Sequence, residues 1–526
     1  MVKLIKLVTS KLFILCVLLI LQLIIIAAGV VVLSTRFIYL DTVFRAFSII
    51  VVIYILNKSE NPSYKLAWIM PILVFPVFGG LLYLLVGMKR FSNQLKTQNA
   101  RVMRETAPYL NQEESILKEL ENENQSVYCQ VKYLGKPQRG VGPDQDLPTP
   151  VFPVYKNTST RFLSSGEEFF EALVEELEKA EHYIFMEYFI VEEGMMWNEI
   201  HNILKRKAAD GVDVRLVYDD IGCIKRLPRG YDRVLRMEGI KCRIFNPFGP
   251  NVTKIPFMNN RDHRKITVID GHTGFTGGTN LADEYINETQ PFGKWKDASI
   301  LLRGEAVWSF TLMFMHMWNL CGTYEEFKYS RYTPYIFRNE NFESDGYVMP
   351  YCDSPLDTEI QAEMVYLNMI NKATDYIYIC TPYLIIDNEL ATSLMLAAKN
   401  GVDVRIMLPH KFDKWYVHIC SQANYLDLIR AGVRIFEYRP GFLHSKTFVC
   451  DDSVATVGTV NLDYRSLYLH FECGTFLYKS SAVNQLRDDY LATQDECIEI
   501  TEKKCLSVNF FIRLVRGVLK VFAPLM

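Results

Sequence analysis

A pattern of the form H-x-K-x4-D occurs twice in this chain, and no other feature constrains the fold as strongly. The residues of the two copies are His263, Lys265, Asp270, His444, Lys446 and Asp451. In both copies a Gly follows the His after fourteen positions and an Asn after seventeen. These downstream residues are Gly277, Asn280, Gly458 and Asn461. Two matches at equal internal spacing indicate a duplicated half-site rather than a chance match.

The duplication extends beyond the motif. A helical pattern from 166 to 180 leads into an apolar run at 183–188. Later in the chain a second helical pattern, from 357 to 373, leads into an apolar run at 376–380. Strand-like runs that alternate with helical patterns are typical of α/β folds.

A repeated pentapeptide supports the same interpretation. The letters Gly-Val-Asp-Val-Arg stand at 211–215 and again at 401–405. The period is long and has only two copies, so a solenoid is not indicated. We therefore expect two similar α/β halves, one at 151–345 and the other at 346–500.

Each half-site combines side chains that suit a phosphate group. Residues two apart on a strand share a face, so His263 and Lys265 are predicted to point the same way. The half-site also offers an amide donor, from Asn280 or Asn461. Two half-sites would hold two imidazoles across one phosphorus, one as nucleophile and the other as acid. The Lys and Asn side chains would bind the non-bridging oxygens, so we expect no metal and no cofactor.

Imidazoles used in this way need a carboxylate that fixes their tautomer. Asp297 and Glu472 are the candidates, because each lies about thirty residues after the His of its own copy. Asp270 and Asp451 lie just past the predicted strands, where they either take part in catalysis or brace the turn. The sequence leaves this division of roles open. The other seven His residues, including His470, are predicted to be ordinary structural residues.

Residues 1–90 are predicted to form a membrane region. The stretch 12–33 has no charged residue and, at about 1.5 Å per residue, is long enough to cross a hydrocarbon layer of about 30 Å. A second predicted helix covers about 66–87, and a weaker segment at 37–56 carries two charges. Whether the weaker segment crosses a membrane stays open, and so does the number of crossings.

Two further segments flank the predicted halves. Residues 91–150 are polar and rich in proline towards their end, which predicts a linker with a charged helical stretch near 113–124. The C-terminal segment 501–526 is predicted to contain a basic amphipathic helix at 509–522. Such a helix either lies on an anionic membrane surface or packs on the domain as an ordinary helix.

Charge and cysteine content exclude some classes of protein. With 57 basic and 60 acidic residues the formal charge is −3, which argues against a protein held on nucleic acid by bulk charge. The twelve Cys residues form no C-x-x-C pair, so neither a zinc site nor a disulfide framework is indicated. Basic residues around the apolar region indicate that the large domain lies on the cytoplasmic side.

At these motifs the chain resembles the phospholipase D superfamily and, within it, the bacterial cardiolipin synthase family. The paired H-x-K-x4-D motifs carry the wider resemblance. The narrower one covers nearly the whole chain and rests on the apolar N-terminal region and on the segments 261–265, 275–280 and 295–297. Two departures are visible: Asp262 stands where the family would have Asn, and 458–461 reads Gly-Thr-Val-Asn where the first copy has Gly-Gly-Thr-Asn.

The resemblance implies an α/β fold of two pseudo-symmetric phospholipase-D-like mixed-sheet domains that share one active site, preceded by N-terminal transmembrane helices. It implies a transphosphatidylation in which one phosphatidylglycerol gives its phosphatidyl group to His263 and releases glycerol. A second phosphatidylglycerol then attacks the phosphohistidine to give cardiolipin, with His444 first as acid and then as base. The implied partners are phosphatidylglycerol and anionic membrane lipid, in a multi-pass protein of the bacterial cell membrane.

Alternatives stay open at this point. The sequence does not separate lipid transfer from lipid hydrolysis, so a phospholipase D hydrolase is one alternative. A phosphatidyltransferase with another co-substrate, such as phosphatidylethanolamine, is a second. A nuclease is disfavoured by the acidic net charge and by the apolar N-terminal region. The oligomeric state does not follow from the sequence.

Overall fold

The computed structural model describes residues 35–58, 60–75, 79–80, 82–87, 93–135, 151–247, 259–337, 342–356 and 359–525. The chain forms two compact units. The N-terminal unit consists of Met1–Arg90, Pro250–Phe257 and Val521–Leu525. The large unit comprises Phe91–Gly249 and Met258–Lys520, together with Met526.

The strands of the large unit fall into two sets along the chain. The first set is β1 (Thr158–Leu163), β2 (Tyr183–Tyr188), β3 (Asp213–Asp219), β4 (Lys241–Phe245), β5 (Arg261–Asp262), β6 (Ile266–Ile269), β7 (Thr273–Gly277), β8 (Lys294–Lys296) and β9 (Ser299–Gly304). The second set is β10 (Tyr347–Asp353), β11 (Tyr376–Cys380), β12 (Asp403–Pro409), β13 (Arg434–Tyr438), β14 (Gly441–Leu443), β15 (Thr447–Cys450), β16 (Val454–Gly458), β17 (His470–Tyr478) and β18 (Cys497–Ile500).

The two halves form mixed sheets with the same strand order. The first sheet runs β1-β9-β7-β6-β2-β3-β4, and the second runs β10-β17-β16-β15-β11-β12-β13-β18. Three neighbouring strands are parallel in each sheet, and the other neighbours along these orders are antiparallel. Apart from β18, the second sheet repeats the first strand by strand. The α/β class and the pseudo-symmetric repeat predicted from the sequence are thus confirmed.

Helices cover both units. Those of the N-terminal unit are α1 (Thr35–Leu56) and α2 (Pro62–Val74). Those that follow are α3 (Asn93–Thr106), α4 (Glu114–Glu123), α5 (Gln125–Leu134), α6 (Gly166–Lys179), α7 (Met195–Ala209), α8 (Asp220–Cys223), α9 (Tyr231–Met237), α10 (Val307–Leu320), α11 (Gln361–Lys372), α12 (Asn388–Lys399), α13 (Trp415–Gln422), α14 (Tyr425–Arg430), α15 (Tyr464–Tyr468), α16 (Ser481–Gln494), α17 (Glu502–Leu506) and α18 (Phe510–Phe522).

One buried core joins the two halves of the large unit. It contains Phe185 and Ile266 of the first half, Ile379 and Phe448 of the second, and Phe314 of α10. The helix α10 is buried on nearly all sides, as its sequence without a polar stripe requires. Because both sheets pack into a common core, the strand ends of the two halves are held in a fixed mutual position.

The stretch predicted as a linker contains the helices α3, α4 and α5. The charged helical stretch predicted near 113–124 corresponds to α4. The helix α3 contacts α10, and His316 Nε2 lies 2.7 Å from Asn99 Oδ1 between them. The proline-rich part of the predicted linker, 136–150, lies outside the described residues.

The predicted membrane segments are described only in part. The anchor predicted at 12–33 lies outside the described residues, and the weaker segment at 37–56 falls within α1. The prediction of one continuous helix over 66–87 is wrong, because α2 ends at Val74. The next residue, Phe75, precedes a proline in the sequence, and a residue before proline disfavours helical backbone.

Beyond that break the chain returns along α2. A π-helical turn covers Tyr83–Gly87, and the Tyr64 hydroxyl donates to the Gly87 carbonyl oxygen at 3.0 Å. The rings of Trp68 and Tyr83 meet edge-on with centroids 5.4 Å apart. Within the part of the chain that the structure describes, no helix has both the length and the apolar character needed to cross a membrane.

The helix α18 exposes several of its apolar residues. Phe510 is 81% exposed and Leu514 is 54% exposed, and Phe511 and Val518 are exposed as well. Arg516 instead donates to Gln422 Oε1 at 2.6 Å, within the large unit. These exposures favour the membrane-surface alternative for this helix, and both alternatives stay predictions.

Candidate active site

Each His of the duplicated motif is positioned by a strand of the other half. Just before His263, the short strand β5 pairs in parallel with the start of β17, with Asp262 opposite Phe471. The His263 backbone N–H then donates to the Phe471 carbonyl oxygen at 2.9 Å. Because Glu472 follows Phe471 directly, this pairing brings a carboxylate of the second half to the first imidazole.

The second motif repeats the arrangement with the halves exchanged. Here β14 pairs in parallel with β8, with Leu443 opposite Lys296. The His444 backbone N–H donates to the Lys296 carbonyl oxygen at 2.7 Å. The residue that follows Lys296 is Asp297, so a carboxylate of the first half reaches the second imidazole.

The two imidazole–carboxylate pairs are therefore crossed between the halves. His263 Nδ1 donates to both oxygens of Glu472, at 2.9 and 3.0 Å. His444 Nδ1 donates to Asp297 Oδ2 at 2.7 Å. Asp297 and Glu472 do contact imidazoles, but the expectation that each lies by the His of its own copy is wrong. The reason is the parallel pairing described above, which sequence distance does not reveal.

Burial favours the neutral form of both imidazoles. It lowers the pKa of His263 well below its usual value, and the charges of Lys265 and Lys446 lower it further. Burial also lowers the pKa of His444 to about 4, although Asp297 acts in the opposite direction. Burial opposes ionisation of Asp297 too, but the hydrogen bond from His444 and the nearby Lys446 hold its pKa below the usual value. Since Nδ1 donates to a carboxylate in each ring, the lone pair of each neutral imidazole is on Nε2.

The two motif lysines lie beside the imidazoles. Lys265 Nζ donates to the His263 carbonyl oxygen at 2.5 Å, and Lys446 Nζ donates to the His444 carbonyl oxygen. Both side chains are buried. Burial lowers the pKa of Lys265 to about 8 and that of Lys446 to about 7. An anion that enters the site will raise both pKa values, because it favours the charged ammonium.

The two motif asparagines are held by neighbouring groups. Asn280 Nδ2 donates to the Tyr285 hydroxyl at 2.7 Å, and its Oδ1 accepts the Ile190 N–H at 3.0 Å. Asn461 Nδ2 donates to Ser466 Oγ at 3.1 Å. Each amide NH2 has two hydrogens, so one N–H per Asn remains for a ligand.

Asp270 and Asp451 occupy equivalent turns at the far ends of β6 and β15. The Asp270 carboxylate accepts three backbone N–H groups, from residues 181–183, at 2.7–2.8 Å. The Asp451 carboxylate accepts those of residues 374–376 at 2.8–3.0 Å. Both residues have positive φ, 49° and 51°. This geometry is that of a brace between the turn and the neighbouring strand.

Residues next to the two carboxylates differ between the halves, and the sequence pattern alone predicts no role for them. Thr459 Oγ1 donates to Glu472 Oε2 and accepts the Cys473 N–H at 3.0 Å. The equivalent residue in the first half is Gly278, where a Cβ would lie only 1.9 Å from Asp297 Oδ1. The difference between the two copies thus accompanies a difference in carboxylate length. Gly278 adjoins the shorter Asp297, and Thr459 adjoins the longer Glu472.

A second pair of equivalent residues flanks the imidazoles two positions before each carboxylate. Trp295 packs on His444 with ring centroids 5.1 Å apart, and its Nε1 donates to Asp297 Oδ2 at 3.3 Å. His470 takes this place beside His263, with centroids 5.6 Å apart. His470, His263 and Glu472 each offer one metal-ligating atom within 4.8 Å of the others. The sequence alone predicts an ordinary structural role for His470 and gives no sign that it lies beside His263.

The site can therefore perform a two-step displacement at a phosphodiester. It offers two neutral imidazoles with oriented lone pairs, two buried ammonium groups and two amide donors. A nucleophile and a proton donor on opposite sides of one phosphorus suffice for such chemistry. The charged groups would stabilise the non-bridging oxygens as negative charge develops.

Comparisons with known proteins agree with this geometry. Residues 173–290 and 366–492 each match the family described as "Cardiolipin synthase, PLD-like domain". Residues 46–87 match the family described as "Phospholipase_D-nuclease N-terminal". Among solved structures, a phosphatidylserine synthase of Haemophilus influenzae superposes with a TM-score of 0.53 at 15% identity, over 76% of this chain and 98% of that one. At this identity the likeness concerns the fold alone.

Similar sequences extend along almost the whole chain. An uncharacterized protein of Streptococcus mutans is 40% identical over 476 residues, which cover 90% of this chain and 99% of that protein. A cardiolipin synthase of Alkalihalophilus pseudofirmus is 33% identical over 498 residues, covering 93% and 94% of the two chains. One of Halalkalibacterium halodurans is 32% identical over 509 residues, covering 94% and 96%. The chain belongs to the cardiolipin synthase family of phospholipase-D-like proteins.

Proposed function

We propose that this chain makes cardiolipin by transferring the phosphatidyl group of one phosphatidylglycerol to another, with release of glycerol. The observation that carries the proposal is the crossed arrangement of two imidazole–carboxylate pairs, His263 with Glu472 and His444 with Asp297. It supplies a nucleophile and an acid–base pair for one phosphodiester. The relatives named cardiolipin synthase, which align over nine-tenths of the chain, support this substrate class.

In the first step, Nε2 of His263 attacks the phosphorus and forms a P–N bond. The P–O bond to glycerol breaks, and His444 donates its proton to the departing glycerol oxygen. The lowered pKa of His263 supports its role as nucleophile, because the ring stays unprotonated. Glu472 keeps the remaining proton on Nδ1 and balances the charge that the ring acquires.

In the second step, His444 removes the proton from the hydroxyl group of a second phosphatidylglycerol. The resulting oxygen attacks the phosphorus, the P–N bond breaks, and His263 is restored. His444 must bind a proton before the first step, although burial lowers its pKa to about 4. The negative phosphodiester of the bound lipid will raise this pKa, and Asp297 accepts the second ring hydrogen of the imidazolium.

The remaining predicted residues take supporting roles in this proposal. Lys265 and Lys446 bind the non-bridging oxygens and are fully protonated once the anionic substrate is bound. Asn280 and Asn461 bind the same phosphate through their free amide hydrogens. Asp270 and Asp451 brace the turns after β6 and β15 and so position the motif strands, in place of a direct catalytic role.

Exposed apolar residues in both units support a membrane location. The exposed apolar residues of α18 would lie in the interfacial region of an anionic bilayer, which its basic residues favour. In the N-terminal unit, Val43 and Ile50 of α1 and Leu66 and Val74 of α2 are also more than half exposed. We propose a multi-pass protein of the bacterial cell membrane with the large unit on the cytoplasmic side.

The proposal is tested with the purified full chain in mixed micelles that contain labelled phosphatidylglycerol as the sole phospholipid. Cardiolipin with about one glycerol per cardiolipin is the expected result. Phosphatidic acid as product would instead identify water as acceptor, and the chain would be a hydrolase. His263→Ala and His444→Ala should abolish turnover while the far-UV circular dichroism spectrum stays that of the parent. Unchanged turnover in either variant would contradict the two-imidazole mechanism.

A further inference from the structure

His470 is a third imidazole at the site, and the proposed reaction does not use it. It lies at the start of β17, its side chain is 10% exposed, and its ring centroid is 5.6 Å from that of His263. Within the described residues neither ring nitrogen has a hydrogen-bond partner. Nδ1 lies 3.7 Å from Glu472 Oε1, beyond hydrogen-bonding distance. A buried polar group without a partner needs a physical explanation.

In the first half, the position equivalent to His470 holds an indole in place of an imidazole. Trp295, two residues before Asp297, packs on His444 and donates its indole N–H to the carboxylate. An indole is a donor only and cannot ligate a metal ion, whereas an imidazole can. The two halves thus differ at this position: the second supplies an extra nitrogen lone pair beside the carboxylate that orients His263.

We propose that His263, Glu472 and His470 form a chelating site for a divalent transition-metal ion of the Zn²⁺ class. One ligating atom of each residue lies within 4.8 Å of the other two. His263 Nδ1 and Glu472 Oε1 are 2.9 Å apart, and His470 Nδ1 and Glu472 Oε1 are 3.7 Å apart. Ligands at about 2.0–2.1 Å from a tetrahedral Zn²⁺ are about 3.3–3.4 Å apart, so each imidazole–carboxylate separation needs a shift of about 0.4 Å. The two imidazole nitrogens, within 4.8 Å of each other, would have to approach to the same spacing.

The donor set fits this class of ion and not the hard cations. Two imidazoles and one carboxylate, with a fourth position left for water, form a known type of zinc site, whereas Mg²⁺ and Ca²⁺ require mostly oxygen ligands. The first half has no equivalent site, because Trp295 takes the place of the second imidazole. The metal would therefore act on His263 and leave His444 free.

Metal binding would inhibit the enzyme through the tautomer of His263. Coordination through Nδ1 uses the lone pair at that atom, so the single proton of the neutral ring moves from Nδ1 to Nε2. The Nε2 lone pair that should attack phosphorus is then engaged by this proton, and Glu472 binds the metal instead of the ring. No redox change or bond cleavage is involved, so a chelator should restore activity. The inhibitory consequence rests on the proposed function, whereas the binding site does not.

Binding is tested with Co²⁺ as probe on the full chain, purified in detergent and freed of metal with a chelator. One equivalent of Co²⁺ should give the visible absorption bands of a four-coordinate ion, and Zn²⁺ should abolish them. His470→Asn should remove these bands. The control is His201→Asn, because His201 lies 2.7 Å from Glu238 in a pair outside the site and should not affect the spectrum. Bands that persist in His470→Asn, or a thiolate charge-transfer band, would overturn the site.

Inhibition is tested in the phosphatidylglycerol assay, with each variant's rate compared with its own metal-free rate. Micromolar Zn²⁺ should inhibit the parent and a chelator should reverse the effect. His470→Asn should raise the half-inhibitory Zn²⁺ concentration at least about tenfold. An equal half-inhibitory concentration in both would overturn the inhibitory role. Absence of turnover both with and without metal would contradict the proposed function alone, because the Co²⁺ spectrum still reports on the site. Turnover that requires the metal would overturn the inhibitory role.

Discussion

Glu472 accepts the Nδ1 hydrogen of His263, a residue 209 positions earlier and in the other half of the chain. Asp297 accepts that of His444, 147 positions later. Neither motif is therefore complete within its own half, since each half lacks the group that fixes its imidazole. The repeat supplies two copies of one scaffold, and the parallel strand pairs β5–β17 and β14–β8 join them into one site.

The crossed pairing can be tested with a substrate that needs no proton from the enzyme. A phosphatidyl ester of p-nitrophenol has a good leaving group, so only the nucleophile is required to release the phenol in a first burst. Asp297→Asn and His444→Ala should both keep this burst, while Glu472→Gln and His263→Ala should both lose it. With phosphatidylglycerol both carboxylate variants should be slowed by about 10²–10⁴-fold. If Glu472→Gln kept the burst and Asp297→Asn lost it, each carboxylate would instead act on the imidazole of its own half.

The sequence shows the proposed catalytic groups but not which carboxylate pairs with which imidazole. Equal spacings at His263 and His444 sufficed to predict the groups and the repeated fold, because both follow from local pattern. The pairing of Glu472 with His263 depends on which strands lie side by side, and a parallel pair between distant segments leaves no local signal. The contact of Thr459 with Glu472 likewise depends on the fold and has no signal in the local sequence. The sequence predicts that Asp270 lies in a turn but does not reveal its role, because the groups that it binds are backbone N–H groups.

The membrane region shows a different limit of sequence reasoning. Hydropathy alone predicts a continuous helix over 66–87, although the helix ends at Val74. A proline after Phe75 is the signal that should carry more weight there, since it restricts the preceding backbone. Hydropathy averages over a window and does not respond to one such residue.

Thr459 is expected to hold the Glu472 carboxylate in its orientation. Thr459→Val removes the hydroxyl donor at nearly constant volume and leaves a buried carboxylate oxygen with one donor fewer. A hydrogen bond to a charged group contributes about 1.5–3 kcal/mol, so kcat should fall by about tenfold or more. Thr459→Ser keeps the donor and should stay within a few-fold of the parent. Equal rates for the two variants would exclude a role for the hydroxyl.

Gly278 is expected to be required for the position of Asp297. A Cβ at this residue would lie 1.9 Å from Asp297 Oδ1 and 3.1 Å from the His444 carbonyl oxygen. Gly278→Ala should therefore displace the carboxylate and lower kcat more than Thr459→Val does. Gly517→Ala is the control, because nothing lies within 4 Å of a Cβ at that position. Thermal unfolding separates a local displacement from a general loss of fold, and parent-like kcat in Gly278→Ala would contradict the argument.

Asp270 should contribute to stability more than to chemistry. Asp270→Ala removes a carboxylate that accepts three backbone N–H groups, and a charged acceptor of this kind contributes about 2–3 kcal/mol. The expected result is a lower unfolding temperature with kcat of the folded protein within about tenfold of the parent. Asp451→Ala should behave in the same way. Loss of kcat without loss of stability would point to a direct catalytic role.

Acid should destabilise the protein through its buried imidazoles. The pKa of His444 is about 4 in the folded chain, below the usual 6.5, so the unfolded chain binds more protons between these values. Stability then rises with pH in this window and is lost as the pH falls from about 6.5 towards 4, by up to about 3 kcal/mol for this group. Unfolding temperatures at pH 7 and pH 5 should differ less in His444→Asn than in the parent. An exposed His182→Asn is the control, and an equal difference in both variants would contradict the prediction.

The exposed apolar face of α18 should lie in lipid. Phe511, Leu514 and Val518 recur at helical spacing and face outward, so burying them in a bilayer removes apolar surface from water. In proteoliposomes with brominated phosphatidylglycerol, Leu514→Trp should add tryptophan emission that the bromine quenches. Met237→Trp, at an 80% exposed position on α9, should add emission that is not quenched. Leu514→Glu should lower turnover in proteoliposomes more than in detergent micelles, because a carboxylate opposes insertion. Equal quenching at the two positions, or equal losses in the two media, would argue that α18 faces water.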